Sequence, residues 1–104
     1  MDKKYTDADI TTIDNLIKKI DDRIISLLSQ GKFPPEETYY RTKKLEDCKD
    51  RLCYAKLLLT FPHADAVYDD AIISLCGVEA LYRMKKLGLI EYCGVIAGRK
   101  LYAI

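Results

Sequence analysis

At 104 residues, with 49% hydrophobic and 32% charged residues, the chain is one small domain's length and too apolar for a disordered one. A formal net charge of +1 is too weak by itself to imply a nucleic-acid partner, so the distribution of charge along the chain carries more information than its sum. No run of about 18 apolar residues exists to span a membrane, and the polar start Met1-Asp2-Lys3-Lys4-Tyr5 does not read as a signal peptide, so a cytoplasmic protein with reduced cysteines is expected.

The first predicted element is a helix from about Asp7 to Ser29. Ile10, Ile13, Ile17, Ile20, Ile24 and Leu27 recur at alternating intervals of three and four, a heptad seam that Leu16 and Leu28 widen. Thr6 is placed as its N-cap, with Asp9 completing a capping-box-like pattern, and Gly31 as its stop. Phe33-Pro34-Pro35 breaks the chain, because proline lacks the backbone donor and restricts its predecessor. A second helix is predicted from Pro35 to about Thr60, with Glu36 and Glu37 at the positive end of its dipole. Its seam reads Thr38, Arg41, Leu45, Cys48, Leu52, Ala55 and Leu59, and Leu57 and Leu58 add a second apolar face.

Two heptad helices joined by a short turn predict a long antiparallel hairpin over residues 1–62. Thr38 and Arg41 are polar where Ile24, Ile25, Leu27 and Leu28 of the first helix are apolar. That surplus is covered either by Tyr39 and Tyr40 within the monomer or by a second copy, and a homodimer through the first-helix seam is expected.

Phe61-Pro62-His63 ends the second helix. A shorter helix is predicted from an N-cap at Asp65 to Leu75 or Cys76, and another from Val78 to Leu87, interrupted by Gly77 and ended by Gly88; one continuous helix from Asp69 to Leu87 also fits the apolar stripe. Residues 61–76 carry Asp65, Asp69 and Asp70 with no Lys or Arg, a net of −3. Residues 77–104 carry Arg83, Lys85, Lys86, Arg99 and Lys100 against Glu79 and Glu91, a net of +3. The basic end is either a phosphate-facing surface or a solubilising one.

The string Ile72-Ile73-Ser74-Leu75-Cys76-Gly77-Val78, followed by Leu81-Tyr82-Arg83-Met84-Lys85-Lys86-Leu87-Gly88-Leu89-Ile90, resembles the helix-turn-helix core of winged-helix regulators. In that family a glycine commonly sits in the turn, and the second helix exits through a leucine-glycine-leucine-isoleucine type of sequence. Gly98-Arg99-Lys100-Leu101-Tyr102 is similar to the returning wing strand. The resemblance covers roughly residues 65–104. It implies a winged-helix-like unit with a two-stranded wing over 63–104; with the hairpin read from the heptad seams over 1–62, the expected fold is mostly α and, at this length, one compact domain. The partner it implies is double-stranded DNA, with the second helix in the major groove and the wing on backbone or minor groove. Tyr82, Arg83, Lys85 and Lys86 would then face DNA, and Arg99 and Lys100 would contact phosphate. The chain departs from the family at the turn, where only Val78, Glu79 and Ala80 separate Gly77 from Leu81, and Glu79 would repel phosphate.

Nothing in the sequence points to a reaction. His63 is the only histidine and has no nucleophile near it in sequence. Asp21-Asp22 and Asp69-Asp70 are adjacent pairs, which diverge by about 100° on a helix and cannot share a proton; both read as solvated faces. There is no glycine-rich phosphate loop and no nucleophile elbow. Cys48, Cys53, Cys76 and Cys93 lack metal-ligand spacing, so neither metal nor cofactor is expected. The leading expectation is a small DNA-binding protein of transcription regulation. The alternative is a non-enzymatic protein-interaction module or inhibitor that occupies a partner's surface. Phage-encoded inhibitors, anti-CRISPR proteins among them, often have this size and character, although no motif in the sequence identifies one. Such a protein should expose a tyrosine- or acid-rich patch, for example at Asp65, Tyr68, Asp69 and Asp70.

Overall fold

The computed structural model describes residues 7–104. The expected cap at Thr6 lies outside them. The described chain is mostly helical, with one small antiparallel sheet. In order, it forms α1 (Asp7–Gln30), α2 (Pro35–Thr60), β1 (Ala66–Tyr68), α3 (Asp69–Cys76), α4 (Val78–Lys86), β2 (Glu91–Ile96) and β3 (Arg99–Ala103). No helix among the described residues is long and apolar enough to cross a membrane. The chain divides into two compact units, one up to Leu52 and one from Cys53 to Ile104, and α2 contributes to both.

In the first unit the chain reverses over residues 31–34. Gly31 takes a φ of +62°, and Thr38 secures the start of α2, its N–H donating to the Pro34 carbonyl at 2.9 Å and its hydroxyl to the Phe33 carbonyl at 3.2 Å. Lys49 Nζ reaches Asp21 Oδ1 at 2.7 Å, while Arg23 and Leu27 share a cleft with Arg41, Lys44 and Leu45. Positions approaching the turn from either side therefore lie opposite one another, as an antiparallel hairpin requires.

The second unit holds the apolar core. Leu57, Ile72 and Met84 are wholly buried, and Cys53, Val67, Ala80, Leu81, Ile90 and Tyr102 nearly so. The last two turns of α2 belong to it: Lys56 Nζ donates to the Leu75 carbonyl at the end of α3, and the Cys76 thiol donates to the Cys53 carbonyl. In these turns Cys53 and Leu57 are accordingly the buried positions of α2. The expected seam is displaced by about 100° around that helix, the rotation per residue: Leu52, Ala55 and Leu59 are half-buried, and Cys48 is exposed.

The expected helix from Asp65 is corrected. Residues Ala66–Tyr68 form a strand, and α3 starts at Asp69. The sheet therefore has three strands in the order β1-β3-β2, one more than a two-stranded wing. β1 pairs antiparallel with β3, Val67 opposite Tyr102, and the Ile104 N–H extends the ladder to the Asp65 carbonyl at 3.1 Å. β2 pairs antiparallel with β3 from Glu91↔Ala103 to Ile96↔Arg99, with a register irregularity between Tyr92 and Gly94.

Candidate nucleic-acid interface

The basic helix α4 is delimited by two glycines. Gly77 has a φ of +94° and a ψ of 157°, a region open in practice only to glycine. Its N–H donates to Ile73 O at 2.8 Å and its carbonyl accepts from Leu81 N at 3.2 Å, so this one residue ends α3 and starts α4. The alternative of one continuous helix is thereby replaced by two. At the far end Leu89 N–H donates to Met84 O at 2.9 Å and Gly88 N–H to Lys85 O at 3.1 Å, with Gly88 at a φ of +77°. That is a Schellman stop.

Ala80, Leu81 and Met84 turn into the core. Tyr82, Lys85 and Lys86 are consequently exposed, and Arg83 is half-buried. Arg83 Nη1 lies 3.5 Å from Glu79 Oε2, one helical turn earlier. Lys85 Nζ sits 5.8 Å from the centre of the Tyr92 ring, which packs edge-on against the buried Tyr102 at 5.6 Å. Lys86 is exposed and has no ion partner among the described residues.

β2 and β3 are joined by Ala97 and Gly98, both at positive φ (+53° and +79°), the conformation of a two-residue type I′ hairpin turn. Lys100 is exposed on β3. Arg99 is engaged inside the unit: its Nη2 donates to both carboxylate oxygens of Asp70, each at 2.7 Å, and its guanidinium lies 3.9 Å from the centre of the Tyr68 ring. The hydrogen bond from Arg99 holds the Asp70 carboxyl below its ordinary value, and the same bond raises Arg99.

These neighbours sort the six cationic and aromatic residues expected to face DNA. Lys85 leans toward the β2 edge of the sheet and Arg99 toward the β1 edge. Lys86 and Lys100 have no ion partner among the described residues, whereas Arg83 and Arg99 each face a carboxylate. Asp69-Asp70 is not merely a solvated pair: Asp70 and Tyr68 form the seat of Arg99, 29 and 31 positions away, with no local signal to announce it. Asp69 Oδ1 accepts the Asp70 N–H at 2.8 Å.

In the first unit, Ile10, Ile13, Ile17, Ile20, Ile24 and Leu27 are all half-buried along α1. Leu16, Ile25 and Leu28 beside them are exposed, the last two at 62%. Tyr39 and Tyr40 are exposed as well and so do not cover the apolar surplus of α1.

Among the described residues no group of three or more His, Cys, Asp or Glu side chains converges to hold a metal. His63 is exposed in the turn after α2. Comparison with protein-family models, with curated proteins and with solved structures finds no match to this chain.

Proposed function

We propose that the chain is a small DNA-binding regulator of winged-helix type. The observation that carries this reading is topological. The end of α2, β1, α3, α4, β2 and β3 follow one another with β3 between β1 and β2, so the exposed basic side of α4 leads directly into a β-hairpin bearing Lys100. In this reading α4 enters the major groove, Lys85 and Lys86 neutralise phosphates, Tyr82 lies against the duplex, and the β2–β3 hairpin touches the backbone beside it. Arg83 and Arg99 contribute once Glu79 and Asp70 release them. A second copy joined along α1 would present two such helices, which suits the half-buried seam and the exposed Ile25 and Leu28.

The test is fluorescence anisotropy of the purified protein with labelled duplex DNA across a salt series. Micromolar or tighter binding that weakens steeply with salt supports the regulator. Absence of binding at low salt rejects it.

A second reading rests on a specific observation. Val95 and Ile96 next to the hairpin turn are exposed, as are Tyr92, Tyr82 and Val78, and β2 is an open edge of the sheet. Such a surface suits a protein partner, and under this reading the chain is a non-enzymatic interaction module or inhibitor of the anti-CRISPR kind. The acidic patch expected for an inhibitor is partly neutralised, because Arg99 occupies Asp70 and covers Tyr68. A partner recovered by the wild type and lost with Val95→Asp and Ile96→Asp, in a protein without duplex affinity, would favour this reading over the first.

A further inference from the structure

The turn end of the α1–α2 hairpin encloses a cleft of about 400 Å3. Four cationic side chains line it, Arg23, Lys32, Arg41 and Lys44, and no carboxylate does. Only Arg41 is answered, by Glu37 Oε2 at 3.1 Å from its Nε. The Arg41 guanidinium carbon also lies over the Phe33 ring, 4.2 Å from its centre, and Lys44 Nζ lies 5.6 Å from the Tyr40 ring centre. Arg23 and Lys32 have no ion partner among the described residues. Like charges gathered around one concavity repel each other, and a concave wall of one sign concentrates counter-ions from solution. A guanidinium held over a ring on one side and by a carboxylate at its Nε keeps its two terminal nitrogens as donors for an oxyanion. Phe33 and Leu45 add apolar surface inside the same cleft. The volume is that of a pocket for a small organic molecule.

We propose that this cleft binds a small organic dianion, with a phosphate monoester as the head group and a compact apolar body against Phe33 and Leu45. The site lies wholly in the first unit and stands whether or not the second binds DNA.

Phenyl phosphate, a dianion at about pH 8, is the probe. It is titrated into the full chain at low salt and followed by amide resonances and calorimetry, with phenol as the uncharged control. Saturable binding that shifts the amides of residues 23–45, and no binding of phenol, is the expected result. Arg23→Gln with Lys44→Gln should lower the affinity by about tenfold or more, as charge-assisted hydrogen bonds disappear, at unchanged helical circular dichroism. Lys32→Gln, in the exposed turn, should weaken binding several-fold without touching either helix. A duplex-DNA arm separates a free phosphate ester from the phosphates of nucleic acid: the double variant should match the wild type toward duplex. Shifts that do not saturate, affinity unchanged in the variants, equal binding of phenol, or a parallel loss of duplex affinity would each overturn the proposal.

Discussion

Arg99 and Asp70 are 29 positions apart in sequence, yet the Arg99 Nη2 donates to both oxygens of the Asp70 carboxylate at 2.7 Å. The pair ties the start of the returning strand to the start of α3, over the face of Tyr68. Both side chains are about half exposed, so its contribution to stability is small and screened by salt.

The pair has a pH signature. The folded-state value of Asp70 is depressed, first by the Arg99 hydrogen bond, so whatever the pair contributes is present above the ordinary carboxylate range and is lost as pH falls through the lowered folded value. The Asp70 side-chain carbonyl resonance should titrate below an ordinary aspartate, and in Arg99→Gln its midpoint should move up. An unmoved midpoint would mean that the pair does not persist in solution.

Charge on α4 and β3 should set duplex affinity in both directions. Lys85→Glu with Lys86→Glu should weaken binding without unfolding and reduce the salt slope by about 1.8, at roughly 0.9 for each phosphate no longer neutralised. Asp70→Asn, by releasing Arg99, should strengthen binding several-fold. Wild-type affinity in the double reversal would remove these lysines from any DNA-binding role.

Gly77→Ala should destabilise the protein by about 1–3 kcal/mol, the cost of a side chain at that backbone conformation. Apart from the adjoining backbone, no heavy atom of the described residues lies within 4 Å of where the Cβ would sit, so the cost comes from the local backbone conformation and not from packing against the rest of the fold. Urea denaturation followed at 222 nm reads it; a change under about 0.5 kcal/mol, the scale of a neutral surface substitution, would show that the α3–α4 junction relaxes.

Met84 is wholly buried beneath the exposed lysines of the same helix. Met84→Ala should cost about 2–5 kcal/mol, while Lys86→Ala should stay within about 0.5 kcal/mol. Comparable losses from both would contradict the placement of the core face of α4.

Self-association is testable at residues that the hairpin does not bury. Ile25→Lys with Leu28→Lys should convert a dimer to a monomer in sedimentation equilibrium while the helical signal is retained. A wild type that sediments as a monomer at tens of micromolar, a concentration at which dimers of ordinary affinity persist, would dismiss the dimer.

The elements set by neighbouring residues were readable from the chain alone. The helix over 7–29 is α1, Pro35 opens α2 and Thr60 closes it, and Gly88 ends α4, whereas the sequence leaves open whether Gly77 divides α3 from α4 or lies inside one helix, which the structure decides as two. Each depends on proline's missing donor, glycine's access to positive φ, or a periodicity that repeats within one turn. Tertiary structure decided the rest. Ala66–Tyr68 is too short to signal a strand and becomes one by pairing with residues 101–103. The buried stripe of α2 falls on Cys53 and Leu57, since its last turns pack in the second unit. The Arg99–Asp70 pair and the four-cation cleft join residues that no local pattern connects. Hydrogen-bonding habits of single residues act over one turn, whereas strand pairing, burial and charge pairing depend on which distant segments the fold brings together.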